Sequence, residues 1–177
     1  IYQPLQCAAD NHHISRFTIN EWNEKIDIFT LVRKVSSYST SDISAIYQSK
    51  LIDGFIDDFL VIDSLNYDLK DVHYMDQKLL IANSSNNSPE FQIYNISITE
   101  GLYADTLNLI NTIETPATPN ALYSTGDTLF MGMGDHAGVK VYNLSNADTE
   151  IPISEFASGF SVKEVFWDPL DRLLLLS

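Results

Sequence analysis

The chain has 177 residues, 45% of them hydrophobic and 19% charged, which is enough for one folded domain and too apolar for a disordered one. A net charge of −14, from 24 Asp and Glu against 10 Lys and Arg, cannot neutralise a row of phosphates, so nucleic acid and anionic lipid are excluded as partners. The single cysteine, Cys7, rules out an internal disulfide and a cysteine metal cage, and the longest leucine run, Leu173 to Leu176, is far too short for membrane insertion.

The opening IYQPLQCAAD lacks the basic start and apolar core of a signal peptide. A chain that begins on Ile and stops in LLLLS is expected to be a processed or truncated piece of a longer one. ISRFTIN (Ile14 to Asn20) reads as a third-type strand of a repeat, and IFTLVRKVS (Ile28 to Ser36) as its outer strand. EWNEKIDIFTLVRK could be read as a helix, but its β-branched and aromatic content favours a strand. DISAIYQSKLI and DDFLVIDSLN (Asp57 to Asn66) follow, the latter again in the style of a third strand. Between them, IDGFIDDF carries Asp53, Asp57 and Asp58. It lacks the Asp-x-Asp-x-Asp-Gly spacing of a calcium loop and reads as a solvated hairpin.

From Val72 onward the chain repeats itself. VHYMDQKLLIA (from Val72), ALYSTGDTLFMG (from Ala121) and VFWDPLDRLLLL (from Val165) each read as strand, polar turn, strand, with Asp, Gly or Pro in the turn. A third strand follows in two of them: FQIYNIS (Phe91 to Ser97) and VKVYNLS (Val139 to Ser145), which match at Tyr94 and Tyr142 and at Asn95 and Asn143. VKVYNLS alternates, with Val139 and Val141 on one face and Lys140 and Tyr142 on the other, the mark of a half-buried strand. LNLINTIE (Leu107 to Glu114) and IPISEFA (Ile151 to Ala157) read as fourth strands. The expected fold is all-β: a β-propeller or propeller fragment of about four units of four antiparallel strands. It forms a single region over residues 1–177, irregular over 1–56 and clearly repeated over 57–177.

GVKVYNLSN (Gly138 to Asn146), with FQIYNIS and FLVIDSLN as weaker copies, resembles the LVIVD type of β-propeller repeat; Leu60-Val61-Ile62-Asp63 keeps the core of that name. The resemblance covers residues 57–177 and implies a propeller of the bacterial cell-surface or exported kind. The chain departs from the family at Asn95 and Asn143, where Asp is usual. VFWDPLDRLLLL would also suit a WD-type or lactonase-type propeller.

Few residues read as chemistry. His12 and His13 are adjacent and point to opposite faces of a strand, and with His73 and His136 they read as satisfied or solvated histidines rather than a metal site. The three glycines of GMGDHAGV (Gly132 to Val139) precede a strand, not the helix that a dinucleotide site needs, and are expected to admit turns with positive φ. No nucleophile elbow is present. Among the Asn-x-Ser sequons Asn83, Asn86, Asn95 and Asn143, the repeat position of the last two points to a strand-end role. Asn83 and Asn86, in the polar stretch NSSNNSPE, are the better glycan candidates if the source is eukaryotic and the protein secreted.

The expected function is a non-enzymatic interaction module at the cell surface or secreted, without a cofactor. It would bind a protein or glycan partner through inter-strand loops at Tyr103, Asp135, His136, Phe160 and Trp167. The remainder of a cleaved propeller chain is a further expected partner. A rival reading is a lactonase- or glycosidase-like hydrolase with a calcium at the central channel, held by Asp71, Asn120 and Glu164, which precede successive inner strands. An intracellular WD-like scaffold is the third.

Overall fold

The computed structural model describes residues 12–22, 25–34, 43–52, 55–65, 69–75, 77–85, 88–96, 107–145, 151–168 and 172–176. All regular structure among them is β-strand. Strands β1 (His12–Trp22), β2 (Lys25–Lys34), β3 (Ile43–Ile52) and β4 (Phe55–Leu65) make the first sheet, each antiparallel to the next. Strands β5 (Leu69–Met75), β6 (Lys78–Ser85), β7 (Ser88–Ile96) and β8 (Leu107–Glu114) make the second. Strands β9 (Pro119–Thr125), β10 (Thr128–Met133), β11 (Val139–Asn143) and β12 (Ser154–Phe156) make the third, and β13 (Glu164–Asp168) with β14 (Arg172–Leu176) the fourth. The sheets are not closed into a barrel.

Strands pair across the turn positions expected of MDQK and STGD. Met75 pairs with Lys78 across one two-residue turn, and Thr125 with Thr128 across another, where Gly126 takes a φ of 53°. LNLINTIE is β8 in full. IPISEFA pairs only over Ser154–Phe156, because Pro152 has no N–H to offer a ladder.

The N-terminal region is more regular than its sequence suggests, a complete four-stranded sheet. ISRFTIN lies on β1, the first strand rather than a third. IFTLVRK lies on β2, an interior strand rather than an outer one. FLVIDSL lies on β4, the outermost strand, so it does not occupy the place that FQIYNI and VKVYN take on β7 and β11. Alternation identifies a strand but not its rank in a sheet, which only the pairing decides. The segment EWNEKIDIFTLVRK is strand wherever it is described.

The sheets pack face to face in chain order. Phe29, Leu31 and Ile46 of the first sheet meet Leu69, Val72, Leu79, Ile81 and Tyr94 of the second. Leu80, Ala82, Phe91 and Ile93, on the other face of that second sheet, meet Leu122, Leu129, Met131, Met133 and Tyr142 of the third. Ala121 and Val139, on the far face of the third sheet, meet Val162 and Val165. The run Leu79-Leu80-Ile81-Ala82 is therefore buried at every residue, as a strand covered on both sides must be. The first strands lie side by side, β1 against β5, β5 against β9 and β9 against β13.

This packing corrects the half-buried reading of β11. Val139 and Val141 do share one face and Tyr142 the other, yet all three are buried, since the sheet has a neighbour on each side. Tyr142 packs its ring 6.5 Å from Phe91, and burial pushes its hydroxyl pKa up.

Gly138 fixes how the third sheet meets its outer strand. Its φ is +74°, and a Cβ there would lie 2.4 Å from the Phe156 carbonyl oxygen and 2.6 Å from the Ala157 carbonyl carbon. Gly126 also has positive φ, but a Cβ there meets nothing within 4 Å. Gly126→Ala is expected to cost about 1 kcal/mol, from backbone conformation alone. Gly138→Ala, which adds a backbone clash, is expected to cost roughly 3 kcal/mol or more in urea unfolding. Equal costs would show that the close approach does not constrain the fold.

Candidate functional site

Two loops at one end of the third sheet form the best-defined surface feature. The first, residues 134–138, joins β10 to β11; the second, residues 157–163, joins β12 to β13. Asp135 (φ 49°) and His136 (φ 62°) are consecutive left-handed residues, and Ala157 (φ 52°) on the facing loop is a third. Such a conformation costs a non-glycine residue about 1–2 kcal/mol, so it persists only where neighbours hold it. Hydrogen bonds between the loops do so. The His136 N–H donates to Ser161 Oγ at 3.0 Å, its Nδ1–H to the Gly159 carbonyl at 3.2 Å, and the Gly159 N–H returns to the His136 carbonyl at 2.8 Å. The Gly138 N–H reaches the Phe160 carbonyl at 3.0 Å, and the Gly134 N–H anchors the first loop to the Thr118 carbonyl at 2.8 Å.

The result is a braced pair of loops that presents Asp135, His136 and Phe160, all exposed, with Phe160 at 63%. The structure thus brings together three of the five residues expected to bind a partner. Trp167 lies on β13 opposite Leu173, with its side chain outside the described residues, as is all of Tyr103. The glycine expectation for GMGDHAGV holds at Gly138; the other left-handed positions belong to Asp135 and His136. A strand, β11, follows the loop, as expected.

Asp71, Asn120 and Glu164 do stand near the starts of β5, β9 and β13. Asp71 is buried, and its carboxylate accepts the Val72 N–H at 2.9 Å and the Leu122 N–H of the neighbouring sheet at 2.7 Å. Asn120 donates its Nδ2–H to the Val162 carbonyl at 3.1 Å, across the next seam. Glu164 is half-buried and pairs with Leu176. The first two side chains tie each sheet to its successor. Among the described residues, no three His, Cys, Asp or Glu side chains converge to hold a metal ion. The Asp53–Gly54 pair lies outside the described residues, between strand ends Ile52 and Phe55 that pair across it; Asp57 and Asp58 lie on β4.

A further inter-sheet contact has no sequence signature. Nε2 of His73 and Oγ of Ser124 share a hydrogen bond at 2.7 Å, with the Tyr123 ring centroid 6.0 Å from the imidazole. Burial lowers the His73 pKa to about 4. The contact joins residues 51 apart in sequence, and an alternating strand pattern does not reveal such pairings.

The sequons divide by burial. Asn83 is buried and donates its Nδ2–H to Glu90 Oε1 at 3.1 Å, so the expectation of a glycan there is corrected: the folded chain leaves no room for one. Glu90 also accepts from Gln92 at 2.7 Å, and Gln92 from the Tyr94 hydroxyl at 2.9 Å, a polar ladder inside the second sheet. Asn86 is outside the described residues, and so is the side chain of Asn95. Asn143 closes the end of β11 by accepting the Ser145 N–H at 3.0 Å and its hydroxyl at 2.6 Å, which is the strand-end role expected of it.

No family model matches the chain, and no curated protein does. The LVIVD resemblance therefore rests on the strand motifs alone.

Two predictions follow from the seam between the second and third sheets. Replacing Asp71 by Ala strands the buried Leu122 N–H and is expected to cost about 2–3 kcal/mol; Asp71→Asn, which keeps an acceptor, is expected to cost less. For His73, the folded pKa of about 4 lies below the ordinary histidine value of 6.5, so protonation favours the unfolded chain. Its contribution is complete above pH 6.5 and is lost as pH falls towards 4, by roughly 3 kcal/mol in all. Unfolding titrations of wild type and His73→Gln over that range are expected to show a shallower pH slope in the variant. Parallel slopes would remove His73 as a source of acid sensitivity.

Proposed function

We propose that this chain is a non-enzymatic recognition module of β-propeller type that binds a protein or glycan partner through its braced loops. The carrying observation is the loop pair at 134–138 and 157–163. Of the four left-handed non-glycine residues among the described ones, three lie there, on loops tied to each other and presenting Asp135, His136 and Phe160. Held strain at an exposed site is a feature of preorganised binding surfaces, because loops already ordered lose little entropy on binding. Side-by-side first strands and sheets packed in chain order support the propeller reading, with the LVIVD-type motifs beside it. An extracytoplasmic location is part of the proposal and is carried by that resemblance alone.

The binding reading is favoured over a calcium-dependent hydrolase by what Asp71 and Asn120 already do. Both carboxylate oxygens of Asp71 receive backbone N–H groups, and Asn120 is committed to Val162. Phe160→Ser and His136→Ala are expected to lower retention on a glycan array, or of a cross-linked protein partner, by about tenfold, a typical loss for a truncated anchor. The melting temperature should stay within a few degrees of wild type. A rise in melting temperature on adding calcium, abolished by Asp71→Asn, would instead support the hydrolase reading.

A further inference from the structure

The stretch beside the braced loops carries an unusual load of exposed apolar surface. Ile151 is 76% exposed, Ile153 60% and Phe156 36%, and Phe160 follows on the second loop. β12 ends its sheet, whose order is β12-β11-β10-β9, and pairs with β11 alone through Val139–Phe156, Lys140–Glu155 and Val141–Ser154. The far edge of β12 has no strand beside it among the described residues. Sheet edges of this kind are ordinarily blunted by lysines, by proline or by inward-pointing charge. Here Pro152 shortens the strand, but no Lys or Arg occurs between Asn143 and Val162.

The charge of the same stretch selects the occupant. Glu155 lies exposed on β12, and the chain as a whole carries −14. The adjacent cation, Lys140, is paired with Glu155. A second copy of this chain would bring the same negative charge to the contact. A basic strand would not, and an apolar side chain on it would meet exposed Ile153 while its backbone pairs with the open edge.

We propose that the free edge of β12 docks an extended, lysine- or arginine-rich segment of a partner protein, which adds to the third sheet as a further strand. This rests on the recognition-module reading and narrows its partner to a protein. The probe is a capped lysine–valine alternating peptide of about nine residues, long enough for one strand. Two further versions of it are N-methylated at every second amide, on one edge or on the other. Against the full 177-residue chain, the parent peptide is expected to protect amides between Ile153 and Ala157 from hydrogen exchange. One N-methylated version should lose about tenfold or more in affinity and the other should not, because only one edge of an added strand faces its neighbour. Ile153→Ser is expected to weaken the parent peptide by a similar factor.

Equal binding of all three peptides, equal binding of an aspartate–valine peptide, or protection elsewhere in the chain would each overturn the inference. The N-methylated probes act on the wild-type protein, so the test survives a variant that fails to fold. A glycan retained through Phe160, with no peptide bound at β12, overturns this inference and leaves the loop reading standing. Loss of the Phe160 dependence with peptide protection intact does the reverse.

Discussion

Face-to-face burial between successive sheets is the constraint on which the rest of this structure depends. Among the described residues, the buried apolar clusters each span two successive sheets or a sheet and the segment entering the next. The second sheet places Leu79 and Ile81 against the first and Leu80 and Ala82 against the third; the third sheet likewise serves two neighbours. A strand in such a place cannot spare one face for solvent, so its residues are apolar in succession rather than by turns. Three polar side chains that enter the seams bring a partner across them. Asp71 meets the Leu122 N–H, Asn120 the Val162 carbonyl and His73 the Ser124 hydroxyl.

The same constraint determines which surfaces stay open. Sheet faces are consumed by packing, which leaves the connections at the sheet ends and the outer strands. The loops at 134–138 and 157–163 are held from beneath by the seam itself. Gly132 lies where a Cβ would come within 2.8 Å of Val162 and Val165, and the Val162 N–H bonds the Met133 carbonyl at 2.8 Å. Close packing of the third sheet on the segment that enters β13 thus sets the height at which the loops meet. Asp135 and His136 keep their left-handed conformation through the hydrogen bonds between the two loops.

The outer strand is where the packing rule relaxes. Val139 of β11 is buried, while its partner Phe156 on β12 is exposed at the sheet margin. Within one register pair the environment passes from core to surface. Exposed Ile151 and Ile153 and the acidic Glu155 lie together there.

Strand identity was legible in the sequence because alternation and turn residues are local properties. LNLINTIE, the turns at Met75–Lys78 and Thr125–Thr128, the strand after the glycine loop and the terminal role of Asn143 could all be read from neighbouring residues. Asp135, His136 and Phe160 were recognisable as loop residues for the same reason. The rank of each strand was not legible, so ISRFTIN and FLVIDSL were given places that pairing does not allow them. Asp71 could be placed at a strand start, but not shown to be occupied by an amide of another sheet, 51 residues away. The burial of Asn83 and the convergence of two loops from different connections were equally out of reach. The sequence by itself determined an all-β chain built from repeated strand units, since periodicity and turn chemistry act over a few residues. Only the tertiary structure decided which faces are covered, which polar groups are already partnered and which loops stand together, because those depend on contacts between residues far apart in the chain.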